Sequence, residues 1–216
     1  MLPQRSALAL ALLHVALLAS VAGAGSAWEA GESGEGKGYA YQVFSAQREG
    51  EDFYRYEVRG RVDAAPGALT RAVRAITSDP ERAPEGQTRR ILEADGDEFI
   101  VYTRIDLPYP FGDRDIVTRG VRRAHGAGLR IDWEATGHPD APPSEDAIRI
   151  ERSAGHWTFV PGDDGSCEVV YHSYSDAAGS LPGWLVEPLT EQNVARVFEE
   201  VALEAVEQSR RAMALP

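Results

Sequence analysis

The stretch YTRIDLPYPFGDRDIVTR, Tyr102 to Arg119, gathers Arg104, Asp106, Asp113, Arg114, Asp115 and Arg119 around a Pro-Tyr-Pro bend. Paired arginine and aspartate can orient a ligand hydroxyl or head group through a buried ion pair. The plainer use is a structural salt bridge between Arg114 and Asp115 at the bend, with Asp113 exposed. That use is the expected one, because neighbours on a strand face apart and at most one of the two can face an interior. His172 beside Ser173 has the residue types of a hydrolase pair, yet strand geometry separates them and no G-x-S-x-G elbow is present. His125, His138, His156 and His172 lack the H-x-x-x-H spacing of a zinc pair, and no glycine-rich phosphate loop occurs, so neither metal nor cofactor is expected. Cys167 is the only cysteine; it falls in an expected strand and reads as a buried thiol acting as a small hydrophobe. No catalytic residue is assigned.

These groups must be positioned by mostly β elements. Tyr39 to Gln47 and Phe53 to Val62 are aromatic and β-branched runs joined by Arg48-Glu49-Gly50-Glu51-Asp52, the pattern of a hairpin. Leu69, Ala72, Val73 and Ile76 recur at helical spacing and stop at Ser78-Asp79-Pro80. Strands are then expected over Arg89 to Ala94, Phe99 to Leu107, Ile116 to Arg123 and Leu129 to Thr136, followed by Ala147 to Arg152, His156 to Val160 and Cys167 to Tyr174, neighbours pairing as an antiparallel meander. In Leu129 to Thr136 the alternation of Leu129, Ile131, Trp133 and Ala135 with charged residues marks a half-buried strand. Prolines 108 and 110 lack an N–H, so the bend lies at a sheet edge or outside the ladder. A terminal helix is expected over Thr190 to Met213, with Val194, Val197, Phe198, Val201 and Ala205 inward and Glu199, Glu200, Glu204, Arg210 and Arg211 wet; Pro188 is expected to kink or break its start. A curved antiparallel sheet with a long helix across its concave face buries both apolar faces and leaves an apolar cavity between them, an α+β arrangement.

Charge and the first residues narrow the setting. The chain carries a formal net charge of −12, the wrong sign for neutralising phosphates, so nucleic acid is not an expected partner and long-range attraction to an anionic membrane is absent. The Ala/Leu run from Ala7 to Ala19 behind Arg5, ending in Ala22-Gly23-Ala24 or Gly25-Ser26-Ala27, reads as a secretory signal peptide over 1–27. The run is too short and too broken by Gly and Ser for a membrane anchor. Residues 28–38, Gly/Glu-rich, are expected to be a flexible leader ahead of a single domain over 39–212.

Three segments in order carry a resemblance. Leu107-Pro108-Tyr109-Pro110-Phe111-Gly112-Asp113-Arg114-Asp115-Ile116-Val117 resembles the Pro-x-Pro…Arg-Asp segment of START (steroidogenic acute regulatory protein-related lipid-transfer) domains, which have a helix-grip fold. Ile148-Arg149-Ile150 with Gly155 to Pro161, and Ser175 to Val186, match later segments of that family; the resemblance spans about Tyr39 to Ser209. It implies one bound hydrophobic molecule, a sterol, phospholipid or similar lipid, between the curved sheet and a C-terminal helix that gates it, with no cofactor. The chain departs from the family in lacking additional N-terminal helices before Tyr39 and in its export signal. A periplasmic or secreted monomeric carrier in transient contact with membranes accommodates both.

On that reading Tyr102, Arg104, Arg114, Trp133, Trp157, Phe159, Tyr171, Val194 and Phe198 are the candidate cavity residues. Trp184 and Leu185, at the entry to the last helix, are the candidate gate and membrane contact. The alternative within the wider helix-grip superfamily is a polyketide cyclase or aromatase using the same cavity, which would need polar residues converging there, built from Arg104, Arg114, His156 and His172.

Overall fold

The computed structural model describes residues 28–47, 54–176 and 183–214. The signal peptide expected over 1–27 and the turn at 48–52 lie outside the described residues. Ten strands form one curved sheet: β1 (Glu29–Gly36), β2 (Tyr39–Gln47), β3 (Tyr54–Val62), β4 (Gln87–Asp95), β5 (Glu98–Ile105), β6 (Arg114–His125), β7 (Gly128–Ala135), β8 (Ile148–Arg149), β9 (Ser153–Pro161) and β10 (Cys167–Ser175). Among the described residues two α-helices, α1 (Pro66–Ser78) and α2 (Gly183–Ala214), pack against each other and against its inner face. The spatial order is β1-β2-β3-β10-β9-β7-β6-β5-β4. From β4 to β10 it is the expected meander, and α1 carries the chain from β3 across to the far edge.

β1 corrects the expectation of a flexible leader over 28–38. Its sequence, EAGESGEG, has low strand propensity, but Gly34 and Gly36 face Tyr41 and Tyr39 across the ladder. A Cβ on either glycine would sit 2.5 or 2.4 Å from the facing tyrosine ring. The rings therefore lie flat over the glycines and supply the packing that those residues lack. Glu32 N–H also donates to Glu191 on α2 at 3.1 Å, tying the strand to the helix. Both edge strands carry a register shift, at Ala30/Ser33 and at Ile91/Glu93, which bends the ladder where an unpaired edge would otherwise invite another chain.

Three smaller expectations also change. Of the strand expected over Ala147 to Arg152 only Ile148–Arg149 forms, and it pairs parallel with β6, not within the meander. Its backbone clamps the bend, Ile148 N–H to Asp113 O at 2.9 Å and Ile150 N–H to Asp115 O at 2.8 Å. Helix α2 runs unbroken through Pro188, because a proline this near a helix start forfeits a single backbone bond. Its stripe is the expected one, with Val194, Phe198, Val201 and Ala205 buried. Glu199 is not simply wet, since Tyr41 donates its hydroxyl to it at 2.8 Å.

The main core lies between the sheet and the helices, centred on Trp157, Phe159, Phe198, Leu69 and Val169. A second cluster, Ile100, Val117 and Ala141 with Leu92 and Tyr102 packed against it, occupies the outer face of β4 to β6, where the chain after β7 folds back.

Candidate functional site

The inner face of the sheet and α1 enclose a pocket of about 170 Å³. Strand alternation selects its walls. β5 turns Phe99, Val101 and Thr103 inward, β6 contributes Thr118, and β7 contributes Ile131 and Trp133. Trp157 on β9 and Tyr171 on β10 form the far wall, and Val73 and Thr77 of α1 close the near side. Trp157 and Tyr171 are directly opposed across the ladder and their rings stack 4.0 Å apart. Trp157 also stacks on Phe159 at 6.1 Å and Phe198 at 6.2 Å, so the pocket wall continues into the core as one aromatic layer.

Two glycines set the depth of this pocket. Phe99 lies over Gly120 on β6, where an added Cβ would meet its ring at 2.1 Å, and Trp133 lies over Gly155 on β9, where the indole is 2.6 Å away. A larger residue at Gly120 would lift the Phe99 ring off the sheet and into the space, whereas at Gly155 it would first meet the His172 carbonyl oxygen at 2.1 Å.

The polar side-chain groups of the wall residues are uncharged: the hydroxyls of Thr77, Thr103, Thr118 and Tyr171 and the indole N–H of Trp133 and Trp157. Thr77 donates to Val73 O at 2.8 Å within the helix. Burial raises the Tyr171 pKa above the usual tyrosine range, so its phenol is neutral, with a hydrogen bond to Ser173 acting the other way. Cys167 is fully buried beyond the pocket and burial pushes its thiol up to about 11, so it stays protonated and inert.

Of the nine cavity candidates, Trp133, Trp157 and Tyr171 line the pocket. Phe159, Val194 and Phe198 are core residues behind it. Tyr102 and Arg104 stand on the outer face of β5, their inward neighbours being Val101 and Thr103; Tyr102 packs there against the second cluster, under the Arg90 guanidinium. Arg114 shares the inner parity of Thr118 but is buried at the end of β6, donating to Gly112 O. The side chains of Trp184 and Leu185 lie outside the described residues, although their backbone forms the first turn of α2.

The bend resolves into ion pairs of Arg104 with Asp113 and, at 3.6 Å, with Asp106, and of Arg149 with Asp115; the expected pair of Arg114 with Asp115 is not among them. Arg104 donates to Asp113 at 2.7 Å, and Asp113 also accepts from Leu107 N–H at 3.1 Å. The Leu107 amide and then Arg104 hold the Asp113 carboxyl below the usual carboxylate range, so Asp113 is engaged, not exposed. Asp115, 1% exposed, takes both donors of the Arg149 fork at 2.7 and 3.0 Å. Cross-strand register, which places Arg149 beside Asp115, decides this pairing.

His156 and His172 likewise sit on the outer face, opposed across β9 and β10 with rings stacked 5.2 Å apart. Burial, then Arg130 and His172, lower the His156 pKa to about 4, so the ring is neutral at pH 7. Trp28 meets His172 edge-on at 6.1 Å. The polar set required for a cyclase therefore does not converge: Arg104, His156 and His172 face away from the pocket.

Sequence reasoning missed Phe99, Val101, Thr103, Thr118 and Ile131, and the helix residues Val73 and Thr77. For β7 the signal was present, because Ile131 shares the alternation of Trp133. In β5 it was absent, since Phe99 to Tyr102 are all apolar and show no alternation.

The START domain family matches residues 54–211 of the chain. A STAR-related lipid transfer protein from Xanthomonas axonopodis superposes with a TM-score of 0.66 at 23% identity, covering 82% of this chain and 98% of that one. Human StAR-related lipid transfer protein 5 superposes with a TM-score of 0.63 at 18% identity, covering 91% and 94%. An uncharacterised protein of Pseudomonas aeruginosa is 28% identical over 96 residues, 44% of this chain. The match spans about half of that relative's length, 48%.

Proposed function

The chain belongs to the START domain family, and on that premise we propose that it binds one hydrophobic molecule in the pocket under α1 and carries it without chemical change. The observation that carries this reading is the pocket wall: aromatic and aliphatic side chains whose polar groups are uncharged hydroxyls and indole N–H groups. Such a wall removes a lipid tail from water, at about 0.8 kcal/mol per buried methylene, and offers no group poised to move a proton. The placement of His156 and His172 on the opposite face favours the carrier over the cyclase.

A space of about 170 Å³ is below the roughly 300–1,000 Å³ that encloses drug-sized ligands. Uptake of a whole lipid thus needs the helices to move away from the sheet. That step fits release at a membrane. Tyr109, 97% exposed in the bend between Pro108 and Pro110, is the most exposed large apolar side chain among the described residues and is available for brief membrane contact. The acidic surface favours zwitterionic over anionic bilayers. The Ala/Leu-rich first residues, read as a secretory signal, support a carrier that works in the periplasm or after secretion, and we take it to act as a monomer.

The test is native mass spectrometry of the purified full chain, followed by extraction and identification of what it carries. A stoichiometric lipid or similar apolar molecule is the expected result. A chain that arrives empty and binds no apolar probe, or that converts an added polyketide and loses that activity when Arg114 is replaced, would overturn the proposal.

A further inference from the structure

A chain of net charge −12 gathers three arginines around one hollow. This second space, about 110 Å³, lies among α1, the turn between β4 and β5, and the end of β6, with Arg71, Arg74, Arg122 and Asp97 on its walls. Its floor is Phe99 and Ile131, the two side chains that also wall the apolar pocket. The two spaces are therefore neighbours, separated by one aromatic ring and one aliphatic side chain.

Asp97 is committed to Arg122, whose Nε donates to it at 2.6 Å. Arg71 and Arg74 stand three residues apart on the exposed face of α1, where like charges at this spacing repel. Their acceptors are neutral and distant: Gln208 Oε1 at 3.3 Å for Arg71 and Gly96 O at 3.4 Å for Arg74. The mouth thus keeps two positive charges, and guanidinium forks suit the paired oxygens of a carboxylate or phosphate.

We infer that the ligand is an amphiphile with a terminal anion, a carboxylate or a phosphate monoester, whose head rests between Arg71 and Arg74 and whose tail enters the pocket beside Trp157 when the Phe99 ring, part of the partition between the two spaces, turns aside. The inference rests on the reading that the larger pocket holds an apolar molecule. It also accounts for a pocket without internal charge: the head stays at the wet mouth, where its charge is not stripped of water, while the tail alone is buried.

Isothermal titration of the full chain at pH 7 with octanoate, 1-octanol and inorganic phosphate tests this, using the native chain and Arg71→Gln/Arg74→Gln, two exposed changes whose fold circular dichroism verifies. Octanoate is expected to bind at least tenfold more tightly than octanol, and the double variant to bring octanoate down to the octanol level while leaving octanol unchanged. Equal affinity of the two probes for the native chain, or a ratio untouched by the double variant, overturns the inference and leaves the apolar pocket standing. Binding of neither octanoate nor octanol overturns both. Inorganic phosphate binding as tightly as octanoate would make the mouth a site for free anions and overturn the amphiphile.

Discussion

Replacing Gly120 by alanine should shrink the pocket while leaving the sheet intact. An added Cβ at Gly120 would stand 2.1 Å from Phe99 Cζ, with the ring its three nearest neighbours. Ordinary contact begins near 3.4 Å, so the ring must move by about 1.3 Å, and the path off the sheet leads into the space that Phe99 walls. A displacement of that size removes room for roughly one or two methylenes, or about 0.8–1.6 kcal/mol of apolar burial. In a titration with 1-alkanols of increasing length, the native chain should gain about fourfold in affinity per carbon until the pocket is full. In Gly120→Ala the plateau should arrive one or two carbons earlier, with short chains bound as before and the urea midpoint little changed. Gly155→Ala is the contrast: there the Cβ meets the His172 carbonyl oxygen at 2.1 Å, backbone that cannot step aside, so stability should fall. An identical affinity ladder for Gly120→Ala and the native chain would refute the assignment of Phe99 as a movable pocket wall.

Three further outcomes are expected. Asp115→Asn strands the Arg149 guanidinium, 10% exposed, and should cost about 3–5 kcal/mol in urea unfolding, whereas Asp115→Leu/Arg149→Met should recover most of it. His156 has a folded pKa of about 4 against about 6.5 unfolded, so the unfolded state binds more protons between these values. Stability present above pH 6.5 should therefore fall as the pH drops toward 4, by roughly 2 kcal/mol at pH 4.5 once partial solvent screening of this half-buried ring is allowed for; His156→Gln should flatten that slope in urea midpoints. Tyr109→Ala should slow transfer of a fluorescent lipid between zwitterionic vesicles while its binding in solution stays the same.

The α1 boundaries, the β7 alternation and the α2 stripe were legible because each depends on a local period and a local stop signal. β1 was not, because its glycines are unfavourable until Tyr39 and Tyr41 cover them from the next strand. Tyr102 was expected inside because large aromatic residues usually are. It is indeed half-buried, but against Ala141 and its neighbours on the outer face, where a segment from after β7 returns. The bend offered several acids and bases whose partners depend on register, so Arg104–Asp113 and Arg149–Asp115 could be paired only once β5, β6 and β8 were side by side.

The sequence by itself determined the family, most of the element types, the acidic surface and the presence of a sheet wrapped on a long helix, since period, turn chemistry and motif order reside in neighbouring residues. Only the tertiary structure decided which alternate residues of β5, β6, β9 and β10 face the pocket, that His156 and His172 face away from it, and that Arg71, Arg74 and Arg122 meet at one mouth. The physical reason is that a strand has two faces and a helix surface has no fixed neighbour until packing assigns them. Function here depends on which face each side chain occupies, and that is settled by the way the sheet closes over α1 and α2.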